Sequence, residues 1–184
     1  MARRRRRTRI RFRRPPWWLL VGTVVGVAAI VVLLGRPSGS ARSVPVRAAD
    51  MAPAVKALET RLGGPQRYTE INATDKGVNL FVAGDGGKEV VWYYEAGRLD
   101  GPGASQAAAA DHTPFGLQDV ALGKAAGIAR DAVDRSPTAT MRAFTLRQEG
   151  QLGLVWALDF ESSRGGLLHL TYAPGGGFIG VDAQ

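Results

Sequence analysis

Val155-Trp156-Ala157-Leu158-Asp159-Phe160, followed after a Ser/Gly turn by Leu167-Leu168-His169-Leu170-Thr171-Tyr172, is the stretch whose reading sets the fold class. Trp156, Leu158 and Phe160 recur at every second position with Asp159 and Glu161 between them, the period of a strand with one face in a core and one in water. The glycines around 165–166 and 175–177 punctuate the runs as hairpin turns do. Working outward, strands are expected over 138–147, 152–160, 167–172 and 178–181. Ahead of them, Leu117, Val120, Ala121, Ala125, Ile128, Ala132 and Val133 follow helical spacing up to Ser136-Pro137.

The same order occurs earlier in the chain. Asp50 stands where a helix cap belongs, Pro53 lies in the first turn, Met51, Val55, Leu58 and Leu62 form an apolar stripe, and Gly63-Gly64-Pro65 ends it. Strand-like runs follow over 67–73, 77–83 and 89–96, with a turn at 95–99 into a short strand. Residues 101–116, rich in Gly, Pro and Ala, break the pattern and read as a loop. The expected fold class is α+β: one domain over 48–184 made of two degenerate helix-plus-antiparallel-sheet units, about 48–100 and 117–184.

The second unit, with its aromatic strand 155–160, the hairpin to 167–172 and a glycine-rich turn into Phe178-Ile179-Gly180-Val181, resembles the PepSY-like modules, small cystatin-like α+β domains of bacterial exported and membrane proteins. The first unit matches more loosely, through Val90-Val91-Trp92-Tyr93-Tyr94 and Gly97. The resemblance implies a binding or inhibitory role outside the membrane, towards a peptidase or another envelope enzyme, and carries over no active-site residue.

Residues 17–34, from Trp17 to Leu34, contain no charge and no proline. As a helix they span roughly 27 Å, near the short end of what a ~30 Å hydrocarbon core requires. Nine arginines and no acid precede this run (Arg3 to Arg7, Arg9, Arg11, Arg13 and Arg14), and three follow it in a Gly/Pro/Ser linker over 35–47. That asymmetry predicts a single-pass signal anchor, N-terminus inside, with the bulk of the chain outside the cell membrane. The arm 1–16 is too charged to fold and faces anionic lipid head groups; orientation is a simpler role for it than nucleic-acid binding. Gly35-Arg36-Pro37 offers no small-x-small cleavage site. Gly22 and Gly26 form a small-residue face on which two such helices, and hence a homodimer, can approach.

The net charge of +8 belongs to the arm and linker, because residues 48–184 carry twelve Lys and Arg against sixteen Asp and Glu, a net −4. No cysteine is present, which excludes disulfides, thiolate metal sites and a Cys nucleophile. His112 and His169 are the two histidines, and neither sits in a metal-ligand spacing. Asp159 and Glu161 share a strand face and can be considered as an acid/base pair, though the solvated side of a half-buried strand is the simpler reading. The serines lie in turns without a Gly-x-Ser-x-Gly setting. No cofactor is expected. Asn72-Ala73-Thr74 matches a glycan sequon.

Trp92, Tyr93, Tyr94 and Trp156 are the candidate binding surface, since rigid aromatics supply contact area at low entropic cost. The expected function is a non-enzymatic binding or scaffold module of the bacterial cell envelope with a protein partner. The alternatives are a component of a division, secretion or conjugation machine, and a membrane-anchored hydrolase.

The topology is directly testable. Reporters fused at each end of the chain, one active only inside the cell and one only outside, should report N-in and C-out; a C-terminal reporter active in the cytoplasm overturns it.

Overall fold

The computed structural model describes residues 44–183 apart from Asp111 and Arg164. The arm, the expected span 17–34 and its Gly22/Gly26 face lie outside these residues. Among the described residues, no helix is long and apolar enough to cross a membrane.

The class is α+β, with two helices and a nine-stranded antiparallel sheet. After a 3-10 turn at Ala48–Asp50, α1 runs Met51–Leu62 and stops at Gly63, whose φ of 82° is the left-handed cap that glycine adopts at least cost. Strands β1 (Tyr68–Ala73), β2 (Val78–Ala83) and β3 (Lys88–Glu95) follow as hairpins. The tight turn at Ala96-Gly97, both with positive φ as a type I′ loop requires, leads into β4 (Arg98–Asp100). A three-residue strand, β5 (Ser105–Ala107), pairs with the other end of β3. It lies in the stretch expected to be loop, because Ser-Gln-Ala has neither alternation nor β-branched residues to announce it.

Helix α2 occupies Ala125–Arg135, preceded by a 3-10 turn at Leu122–Lys124. Its apolar stripe was expected from Leu117, but the regular helix begins eight residues later. Leu117 and Val120 pack against the core from irregular backbone instead. The chain ends in β6 (Ala139–Glu149), β7 (Gly153–Ser162), β8 (Leu167–Tyr172) and β9 (Phe178–Ala183).

Across the sheet the order is β4-β3-β2-β1-β6-β7-β8-β9. Each half therefore fans outward from its own first strand, and the halves meet where β1 pairs antiparallel with β6, Ile71 opposite Leu146. Following the register outward from this pair gives one cross-strand row: Trp92, Leu80, Ile71, Leu146, Trp156, Tyr172 and Phe178. Directly opposed residues share a face, so this row is the floor of the core. Its five inner members, Leu80 to Tyr172, are fully buried. Both helices contribute to the same core, α1 through Met51, Ala54, Val55 and Leu58, and α2 through Ala125, Ile128, Ala129, Ala132 and Val133. The Trp156 indole N–H, which a buried tryptophan must satisfy, donates to the Pro174 carbonyl in the β8–β9 turn at 3.1 Å.

At the β1–β2 turn, a Cβ on Gly77 would stand 2.3 Å from the Tyr94 carbonyl oxygen, whereas one on Gly64 would meet nothing within 4 Å. Replacing Gly77 by Ala must push strand backbones apart and should cost about 1–3 kcal/mol in denaturant unfolding. Gly64→Ala should stay near wild type. Equal midpoints for the two variants would contradict this packing.

Candidate functional site

The alternation that buries the apolar row turns every intervening residue to the opposite, helix-free face. There a second register row runs Ala143, Asp159, His169 and Asp182 across β6, β7, β8 and β9. His169 is thus flanked on both sides by aspartates. Its Nδ1 lies 2.6 Å from Asp159 Oδ1, and its Nε2 lies 3.5 Å from Glu149 Oε1. Glu149 stands six positions from Ala143, the β6 partner of Asp159, roughly 20 Å of extended strand. For its carboxylate to meet His169, the β6–β7 ribbon must curl towards this face. The departure is prepared at the tip of β6. The β1–β6 ladder ends at Glu70 opposite Arg147, and Phe115 takes the next place beside Tyr68. The resulting trough has a volume of about 450 Å³ and is lined by Arg147, Glu149, Asp159, Leu167, His169 and Asp182, among others.

His112 occupies a comparable position over the first half. Its Nε2 lies 3.6 Å from Glu70 and its Nδ1 lies 3.8 Å from Glu89. Glu89 is 3% exposed and accepts hydrogen bonds from the Thr69 hydroxyl at 2.6 Å and the Gln106 amide at 2.9 Å, so its burial is compensated. These three residues stand far apart in sequence, and no local signal marks their gathering. Among the described residues, no three of His, Asp and Glu are placed to hold a metal ion.

The strand face of Asp159 and Glu161 is the solvated one, but the two carboxylates are committed to different partners. Asp159 meets His169, while Glu161 accepts from Arg142 at 2.8 Å. Their hydrogen bonds go to different groups. Of the four aromatics expected at a binding surface, Trp156 is fully buried and Trp92 and Tyr94 are 6% and 8% exposed, because all three point under the helices. Tyr93 alone of the four is half-buried on the helix-free face, opposite Asn79. Asn72 of the sequon lies on the central strand β1, half-buried, its amide donating to Glu70 and to Thr145.

Beneath the sheet, charges tie α2 to the outer strands. The Tyr172 hydroxyl donates to Asp131 at 2.8 Å, Arg135 donates to the same carboxylate at 2.6 Å, and the Arg135 guanidinium lies 4.4 Å from the Phe178 ring centre. Burial, then the bond to Asp131, pushes the Tyr172 phenol up from its ordinary value. Partial burial also raises the Asp131 carboxyl, but the hydrogen bonds from Arg135 and Tyr172 outweigh it and hold the group below its ordinary value.

A depressed carboxyl contributes stability above the unfolded-state value, about 4, and loses it as pH falls through the folded-state value. Unfolding midpoints from about pH 5 down to about pH 2 should therefore fall less steeply in Asp131→Asn than in the wild type; identical slopes would remove Asp131 from the acid response.

Neither a family model, nor a curated protein, nor a solved structure matches this chain.

Proposed function

We propose that the chain is a membrane-anchored binding module of the bacterial cell envelope, which offers the helix-free face of its sheet to a protein partner outside the membrane. The observation that carries this reading is the asymmetry of the sheet. Both helices cover one face, while the other keeps a solvent-accessible trough lined by polar groups, and concave surfaces of this kind are where ligands are held. The apolar run 17–34 behind nine arginines supports the anchor; the last residues of the expected linker 35–47 belong to the domain, since Val46 is buried in the core and the Arg47 amide donates to the Thr74 carbonyl.

The two-unit organisation and the PepSY-like resemblance belong to the same proposal. Supporting them, each half presents a helix followed by strands that fan outward, with β1 and β6 as the innermost pair. Each also sets a tyrosine hydroxyl against a helix carboxylate, Tyr68 on Glu59 and Tyr172 on Asp131. An arginine near each helix C-terminus lies over an aromatic ring of an outer strand, Arg61 over Trp92 and Arg135 over Phe178.

A hydrolase is the second reading, favoured by the short His169–Asp159 contact, which is how a general base is oriented. Against it, His169 Nε2, the atom a base would use, faces a carboxylate and has no hydrogen-bond partner among the described residues.

Photo-crosslinking groups placed at Leu167 and Asp182, both exposed beside the trough, and at Lys56, exposed on α1, separate these readings in the native membrane. A defined envelope protein should crosslink from the first two positions and not from the third. Crosslinks from Lys56 alone, or peptide or glycan turnover abolished by His169→Ala, would displace the binding reading.

A further inference from the structure

We propose that the outer edge of β9 is an interface between two copies of this chain, which pair β9 with β9 antiparallel about a two-fold axis at Val181 and so join their sheets. The pairing is independent of what the trough binds; it rests on the binding-module reading only for the anchor, which confines the copies to one membrane.

The two ends of the sheet are finished differently. On the helix side, a second cross-strand row of the core runs from Leu99 through Ala73, Phe144, Leu158 and Leu170 to Val181. Leu99 is half-buried against the core at one end, and Leu170 is fully buried, yet Val181 beside it is 59% exposed. Three of the six large apolar side chains left exposed among the described residues, Phe178, Ile179 and Val181, stand on this one strand, so the bare surface is concentrated there. The backbone tells the same story. Strand β4 is three residues long, runs into Gly101-Pro102-Gly103 and carries the ion pair of Arg98 with Asp100, devices that keep a sheet edge from pairing. Strand β9 has six residues, no lysine and no proline, and among the described residues it pairs with β8 alone. Its outward N–H and C=O groups therefore form a template for one more strand.

Register selects a second copy and fixes the axis. Two identical antiparallel strands related by a two-fold axis keep their apolar sides together only when one residue stands opposite itself. Centred on Asp182, the pair would set two carboxylates directly opposite each other, which is unfavourable. Centred on Gly180, it would set Asp182 against Phe178 across the bulge that Ile179 makes in β9. Centred on Val181, Asp182 meets the small Gly180 of the second copy and Val181 meets Val181. The row ending at Val181 then runs on into its own image, and no like charges are opposed. One strand edge buries less than the roughly 1,200 Å² of a standard interface, but anchoring in a shared membrane raises the effective concentration at which the edges meet.

The chain has no cysteine, so a single introduced thiol reports the contact. Opposed Cα atoms of an antiparallel pair lie about 4.5–5.5 Å apart, within disulfide reach. Mild oxidation of membranes holding the full-length Val181→Cys chain should therefore give a disulfide-linked dimer, while Lys56→Cys, exposed on α1, should stay monomeric. In a second, cysteine-free measurement, Val181→Lys places like charges at the axis of an edge strand and should lower chemically crosslinked dimer about fivefold, with its unfolding midpoint unchanged. No dimer from Val181→Cys, equal dimer from Lys56→Cys, or undiminished crosslinking in Val181→Lys overturns the proposal. So does a photo-crosslinking group at Val181 that captures a different protein in place of a second copy. If Val181→Cys dimers form on a chain that proves not to be membrane-bound, the pairing stands and the anchor falls. A monomeric Val181→Cys chain whose Leu167 position still captures an envelope protein leaves the binding module standing and removes the pairing.

Discussion

The antiparallel pairing of β1 with β6 is the constraint on which the rest of this structure depends. It joins strands separated by more than sixty residues, and through Ile71 opposite Leu146 it aligns the apolar residues of both halves into one row from Trp92 to Phe178. A shift of one residue at this seam would turn one half's apolar set to water, because side chains alternate with a period of two. Separately, each half is a helix on four or five strands with little interior of its own. Joined, they share one core under both helices, and fully burying a large apolar side chain there is worth about 1.5–3 kcal/mol.

The same alternation that makes the floor of the core makes the opposite face polar, but polarity alone does not make a trough. The tip of the long β6–β7 ribbon lies beyond the β1–β6 ladder, which ends at Glu70 opposite Arg147, with Phe115 pairing with Tyr68 next to it. From that tip Glu149 lies 3.5 Å from His169, whose other nitrogen is held by Asp159. The first half has a different solution. There Gln106 donates to Glu89, and His112 lies 3.6 Å from Glu70 and 3.8 Å from Glu89, both from the segment between the halves. One half of the face is thus roofed by its own chain, and the other is left available.

Most of the aromatic residues in the outer strands are committed to the core. In a sheet covered on one side, tryptophan and tyrosine at every second position are what the helices pack upon, and Trp92, Tyr94 and Trp156 are occupied in that way. The other face carries half-buried Phe81, Val91 and Tyr93 on the first half, and exposed Asp159, Glu161 and Asp182 beside half-buried His169 on the second.

The sequence by itself determined the α+β class, the apolar stripes of α1 through Leu58 and of α2 from Ala125, eight of the nine strands to within a few residues, and the solvated side of β7, because each of these follows from local periodicity and turn residues. It also placed His169 opposite Leu168 and Leu170, which strand alternation dictates. Only the tertiary structure decided that β1 and β6 pair, that Ser105–Ala107 forms an edge strand, and that regular α2 waits until Ala125. It alone brought Glu149 to His169 and His112 to Glu70 and Glu89. Those contacts depend on which strand ends curl and where a connecting loop comes to rest, and such long-range closure leaves no periodic trace in the residues that take part.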